Sequence, residues 1–133
     1  MPILDRYTGL LLSILRIVSG LLFLEHGAAK LLHFPPTEMF ATAPAVGSLF
    51  WIAGVLELVG GALLVIGLFT PVVAFVLSGE MAVAYWTVHA KQSFYPVLNQ
   101  GDAAVLFCFV FLYLAAAGAG PLSADALFFK KKS

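Results

Sequence analysis

Charge is what this chain has least of. Asp, Glu, Lys and Arg make up 11% of its 133 residues, against about 25% in an ordinary soluble domain. So little polar cover cannot clothe a small domain, because at this size a large share of the chain stays at the surface. A soluble monomeric enzyme and a disordered chain are excluded. Cysteine is nearly absent too: Cys108 stands alone. One thiol closes no internal disulfide and runs no dithiol cycle within the chain, which excludes a secreted disulfide scaffold. Formal net charge is zero, so there is no basic field for nucleic acid. What is present instead is apolar surface, with 62% hydrophobic residues and a mean hydropathy of +1.02. That composition belongs to a polytopic membrane protein whose first partner is the lipid bilayer.

A helix needs about 20 apolar residues to cross the hydrocarbon. Four stretches qualify, residues 8–33, 46–69, 71–90 and 102–120. None alternates with period two, so helices are preferred to barrel strands. The expected fold is all-α, an antiparallel four-helix transmembrane bundle forming one membrane domain over residues 1–133. Pro35, Pro36 and Pro44 break the chain after the first span. Thr70 followed by Pro71 reads as an N-cap with proline at the first helical position, making spans two and three antiparallel neighbours. Asn99 or Asp102 is placed to cap the fourth helix. The first span is too long and too charged for a signal-peptide core. Arg6 and Lys130-Lys131-Lys132 fall on one side of such a bundle, Lys30 and Lys91 on the other. The positive-inside rule then puts both termini in the cytoplasm, with the protein in the cell (inner) membrane.

Ionisable groups inside the spans are costly, about 2.5–3.5 kcal/mol each at mid-bilayer on insertion scales. This chain has Arg16, Glu25, His26, Lys30, Glu57, Glu80 and His89 there. Each is a functional-site hypothesis until a structural partner accounts for it. Glu57 and Glu80 sit near mid-span, His26 in the outer half, Lys30 and His89 close to the outer interface. At about 100° per residue, Arg16, Gly20, Gly27 and Lys30 share one face of the first helix. Glu25 projects from roughly the opposite side, so it is no partner for Arg16. Glu57, reached across the helix interface, is the expected structural ion-pair partner of Arg16, since arginine is long and grips carboxylates bidentately. Two accounts stay open: a buried staple fixing helix register, or a polar pocket for a ligand or a proton. Glu80 is the carboxyl expected to lack a basic partner. Tyr85 and Trp86, just before His89, fit either an interfacial aromatic belt or pocket walls. Ala53, Glu57 and Gly61, and separately Ala104, Cys108, Leu112, Ala116 and Gly120, form small-residue stripes suited to close helix contact.

With spans and polar positions in place, the chain resembles the DoxX family of small four-helix membrane proteins. LLSILRIVSGLLFLEHGAAKL is similar to the family's opening helix at Arg16, Gly20, Phe23, His26, Gly27 and Lys30. GVLELVGGALLVIGLFTP resembles the second helix through Glu57, Gly60 and Gly61, and GEMAVAYWTVHA the third, with His89 near its end. Asn99-Gln100-Gly101-Asp102 resembles the polar entry to the fourth helix, with Asp102 where glutamate is expected. The ending resembles a Gly-x-Gly-x-x-Ser-x-Asp stretch, matched by Gly118, Gly120, Ser123 and Asp125. Glu25 has no family counterpart. The resemblance implies a membrane subunit linked to quinol oxidase, to thiosulfate-to-quinone electron transfer, or to oxidative-stress complexes.

A quinone would need an apolar slot, donors for two carbonyls and a route for protons. The expected ligand groups are His26, Glu57, Glu80 and His89, with Tyr85 and Trp86 as walls; no metal site is expected. No electron carrier is evident in the chain itself, so it reads as an oxidoreductase subunit rather than a self-sufficient enzyme. Its expected partners are other redox proteins or further copies of itself. The alternatives are a membrane scaffold without cofactor, or a small proton-coupled transporter.

Overall fold

The computed structural model describes residues 1–129. Lys130, Lys131 and Lys132, part of the expected orientation signal, lie outside the described residues. Among the described residues every regular element is helical. A short α1 (Pro2–Asp5) precedes α2 (Thr8–Leu32). A 3-10 turn at Glu38–Phe40 leads to α3 (Leu49–Ile66). Next comes α4 (Thr70–Ala84), which runs on as a π-helical turn over Tyr85–His89. The short α5 (Pro96–Asn99), α6 (Asp102–Ala117) and α7 (Ala124–Phe128) complete the chain.

Three segments are long and apolar enough to cross a membrane: Thr8–Leu32, Leu49–Ile66 and Thr70–His89. The fourth apolar helix, α6, has 16 residues. At 1.5 Å per residue it is about 24 Å long, short of a hydrocarbon core of about 30 Å.

Helix ends explain where the observed bounds differ from the expected ones. Ser48 Oγ accepts from Trp51 N at 3.3 Å, so α3 starts at Leu49 rather than at 46. Gly67 takes a left-handed φ of 72° and stops α3 at Ile66. Thr70 does open α4, but its hydroxyl is not the cap; Oγ1 is buried without a hydrogen-bond partner. The cap comes from Asp125, whose two carboxylate oxygens accept from Phe69 N at 2.7 Å and Thr70 N at 2.8 Å. A carboxylate there satisfies free amides and complements the helix dipole. Before α6, Asn99 Oδ1 accepts from Gly101 N at 2.8 Å, while Asp102 makes no capping bond. After Ala117, Gly118 and Gly120 take φ values of 85° and 76°, which ends α6 short of residue 120.

Packing is arranged in two pairs: α2 lies along α3, and α4 along α6, with α3 meeting α4 more sparingly. The first pair is close because glycines face backbone. A Cβ at Gly61 would stand 2.5 Å from Leu24 N, and one at Gly20 would stand 2.9 Å from Val65 N. The second pair carries a hydrogen bond from Ser78 Oγ to Cys108 O at 2.7 Å. Phe23 joins the pairs, its ring edge-on to Phe107 and Phe111 at 5.0 and 4.6 Å. The stripe expected on the fourth helix is corrected by this packing. Leu112 and Ala116 face outward, and the inward face of α6 is built from Ala104, Phe111 and Leu114. Large aromatic residues fill the gap between pairs better than small ones.

Two glycine substitutions test this packing. Gly61→Ala drives a methyl into the backbone of α2 and should lower stability by about 1–3 kcal/mol. Gly79 has open space around its Cβ position. Gly79→Ala should be neutral or stabilising by up to about 1 kcal/mol through helix propensity. Thermal unfolding in detergent compares the two; equal stabilities would refute the close approach of α2 to α3.

Candidate functional site

Glu57 and Glu80 come from different helices and line one cavity of about 240 Å³ between α3 and α4. Its walls are otherwise almost wholly apolar, Leu56, Val76 and Val83 among them, with Thr87 and Lys30 as further polar residues. Glu57 is 3% exposed. Its Oε1 accepts from Lys30 Nζ at 2.7 Å, and this is an ion pair with both side chains largely buried. Its Oε2 has no hydrogen-bond partner, and neither has Oε1 or Oε2 of Glu80. Three buried carboxyl oxygens therefore sit at one apolar groove without a donor. Buried polar atoms are paired as a rule, and exceptions mark strain or a function.

The pairing follows from α2. Gly27 abuts the backbone of Glu57 and Leu58. Lys30 lies one turn further along the same face, which aims its chain at Glu57. The Lys30 ammonium also lies 5.6 Å from the Phe40 ring centroid. Periodicity places Lys30 on that face but does not add it to the expected ligand groups. The contact of Gly27 with α3 was the signal that would have put it there.

The other expected ligand groups lie elsewhere. His26 is exposed on α2, and its Nδ1 donates to Leu22 O of its own helix at 2.8 Å. Tyr85 and His89 sit on the π-helical turn and belong to a second polar cluster, around fully buried Asn99. His89 Nδ1 donates to Asn99 O at 3.0 Å, and Asn99 Nδ2 bonds Ser93 O at 2.9 Å and the Tyr85 hydroxyl at 3.3 Å. Trp86 is 64% exposed and packs edge-on to Tyr85. None of His26, Tyr85, Trp86 and His89 lines the groove. The physical reason is the helical period: Val76, Gly79, Glu80, Val83 and Ala84 are followed on the same face by Thr87 and Val88, whereas Tyr85, Trp86 and His89 lie on other sides of the helix.

The expected Arg16–Glu57 ion pair is also corrected. Arg16 is fully buried and donates only to backbone. Nε bonds Ala119 O at 2.8 Å; Nη1 bonds Leu64 O at 2.7 Å and Val65 O at 3.1 Å; Nη2 bonds Leu122 O. These carbonyls lie where α3 ends at Gly67, whose N–H also bonds Leu64 O at 3.2 Å, and where the chain beyond α6 is not helical. Four acceptors around one guanidinium leave no role for a carboxylate, and Glu57 is held by Lys30 instead. The same region is tied by Leu122 N to Ser13 Oγ at 3.2 Å and by Asp125 at the start of α4.

Apolar helices of spanning length with a buried charged cluster between them define an integral membrane protein. Sequence comparison gives its family. The DoxX family profile matches residues 11–90, and the chain belongs to the DoxX family. A Haemophilus influenzae protein described as "Uncharacterized protein" is 44% identical over 132 residues, covering 96% of this chain and 98% of that protein. A Bacillus subtilis protein described as "Putative oxidoreductase CatD" is 27% identical over 120 residues, covering 90% of this chain and 87% of that one. No solved structure matches the chain.

Double-mutant cycles separate the two arrangements of charge. Lys30→Met leaves Glu57 buried and unpaired, a loss of about 3–5 kcal/mol for a buried ion pair. Combined with Glu57→Gln it should recover at least about 0.5 kcal/mol relative to additivity, whereas Arg16→Met with Glu57→Gln should be additive within about 0.5 kcal/mol. Unfolding in detergent reads both cycles. Coupling of Arg16 to Glu57 without coupling to Lys30 would restore the original pairing.

Proposed function

We propose that this DoxX protein is a membrane subunit of a quinone-linked oxidoreductase or oxidative-stress complex, and that the groove between α3 and α4 is its quinone-headgroup site. The observation that carries this reading is the buried, unpartnered carboxyl of Glu80 on an apolar groove beside the Lys30–Glu57 pair. A lipid-soluble ring asks for that combination of apolar walls and a few fixed polar groups. The cavity has room for a headgroup, and an isoprenoid tail would remain in the lipid outside it. Glu80 can exchange a proton with a bound ring, and Lys30 keeps Glu57 in place. The name of the Bacillus subtilis relative supports an oxidoreductase setting. The chain supplies no electron carrier of its own, so electrons would pass to or from a redox partner, with self-association as the other form of assembly.

The architecture proposed with this function is one antiparallel four-helix membrane domain over residues 1–133, in the cell (inner) membrane, with both termini in the cytoplasm. Lys30 is held by Glu57 rather than free at an interface, which leaves Lys91 as the lysine opposing Arg6 in the orientation count. A reporter fused after Ser133 should be active only in the cytoplasm; activity on the other side would reverse the topology.

Ligand identity is read from lipid extracts of the protein purified in mild detergent. An isoprenoid quinone should co-purify with the wild type, fall at least tenfold in Glu80→Leu, and stay unchanged in His89→Ala. Extraction reports the headgroup whatever its redox state. No quinone above the level of an unrelated membrane protein, or equal loss in both variants, would remove the quinone reading and leave a scaffold.

A further inference from the structure

The groove's hydrogen-bonding inventory is one-sided, and this bears on which ligand it holds. Its donor groups are engaged, Lys30 through one of its three N–H. Lys30 Nζ bonds Glu57 Oε1 at 2.7 Å and faces the Phe40 ring, and Thr87 Oγ1 donates to Val83 O at 2.7 Å. Its acceptors are not. Glu57 Oε2 and both oxygens of Glu80 are buried and lack any partner. Glu57 is the decisive group. Paired with Lys30 it is an ionised carboxylate, which accepts hydrogen bonds and cannot donate one. A neutral Glu80 could offer a single O–H, but it cannot both donate that proton to a ligand and satisfy Glu57.

A ring with two carbonyls brings acceptors only, so it would leave Glu57 Oε2 buried without a donor. Such a group carries the full desolvation penalty of an unmade hydrogen bond, larger when it is charged. A ring with hydroxyl groups brings the missing donors. One O–H reaches a carboxylate oxygen as a charge-assisted bond, the stronger kind, and a second can be taken by Glu80. Sites built to hydrogen-bond a substrate hydroxyl reject the analogue that lacks it, because their own polar groups are then stranded.

We propose that the Glu57–Glu80 groove is selective for a hydroxyl-bearing aromatic ring, a hydroquinone-type headgroup on an apolar body, over the corresponding dicarbonyl ring. This rests on the function proposed above and adds the form of the ligand that is bound. It concerns recognition alone and includes no electron-transfer step.

The experiment uses the full-length protein in detergent micelles under anaerobic conditions. Isothermal titration calorimetry compares three probes of one carbon skeleton: a short-chain benzoquinone, its hydroquinone and the hydroquinone's dimethyl ether. The hydroquinone should bind at least tenfold more tightly than the other two, which is about 1.4 kcal/mol. Glu80→Leu and Lys30→Met/Glu57→Leu should each bring the three probes to within threefold of one another. Leu112→Ala, on the outward face of α6 and outside the groove, should keep the wild-type preference and controls for general perturbation. If the quinone binds as tightly as the hydroquinone, or if the preference survives in both carboxyl variants, the selectivity is overturned while a quinone site stands. If no probe binds saturably, both the selectivity and the quinone reading fall. The Glu80→Leu arm keeps the test decisive should the Lys30→Met/Glu57→Leu protein not fold.

Discussion

Backbone groups in a bilayer have to find hydrogen bonds within the protein, and Arg16 is where this chain meets that demand most heavily. Its guanidinium collects the carbonyls of Leu64 and Val65 at the end of α3 and those of Ala119 and Leu122 beyond α6. Non-helical backbone at membrane depth is tolerated only where it is buried in protein or lines a watery cavity. With α6 only 16 residues long, the chain on either side of it has to leave helical geometry. Arg16 covers one side of that break and fully buried Asn99 the other, through Gly101 N and Ser93 O. Asp125 adds the amides that open α4. The closing Gly-x-Gly-x-x-Ser-x-Asp stretch is therefore a clasp: its glycines turn the chain back onto α2, and its aspartate caps a helix remote in sequence.

Sorting the polar residues this way changes the weight each carries. Arg16, Asn99 and Asp125 are accounted for by backbone; Ser78 is held by Cys108 O. His26 is turned to its own helix and to the exterior. Among the described residues, what stays buried without a partner is Glu80, the second oxygen of Glu57 and the Thr70 hydroxyl, and the two carboxyls share one groove. The count of titratable groups that made a pocket attractive on sequence grounds was too generous. The groove survives because the carboxyls that remain are the ones without partners, and they come from facing helices.

The sequence made the spans and their helical character legible, because length and hydropathy are properties of one segment at a time. It also gave the face of α2 that carries Arg16, Gly27 and Lys30, because the helical period is local. It could not tell which residue of a neighbouring helix stands opposite, since that depends on axial offset and crossing. Arg16 was matched with Glu57 on the strength of opposite charge, yet its true partners are carbonyls, which every residue possesses and no motif announces. Tyr85, Trp86 and His89 share the depth of the expected pocket, but at about 100° per residue they lie off the face that carries Glu80. Tyr85 and His89, on the π-helical turn, bond Asn99 instead. Thr70 misled differently: its position at the head of α4 was right, but the capping role belongs to Asp125, 55 residues away.

The paired arrangement of helices explains why the carboxyls sit where they do. Within α2–α3 the glycines bring the backbones into close contact; between the pairs Phe23, Phe107 and Phe111 fill the space. The looser α3–α4 boundary leaves room for the groove, and there the small residues Ala53 and Gly79 line the walls. A carboxyl placed in either tight interface would need a fixed partner at once, as Glu57 does on its α2 side with Lys30. On its α4 side the same residue borders open space, so one oxygen is anchored and the other is free. That division lets a single glutamate belong both to the scaffold and to the groove, with Lys30 setting where the free oxygen points.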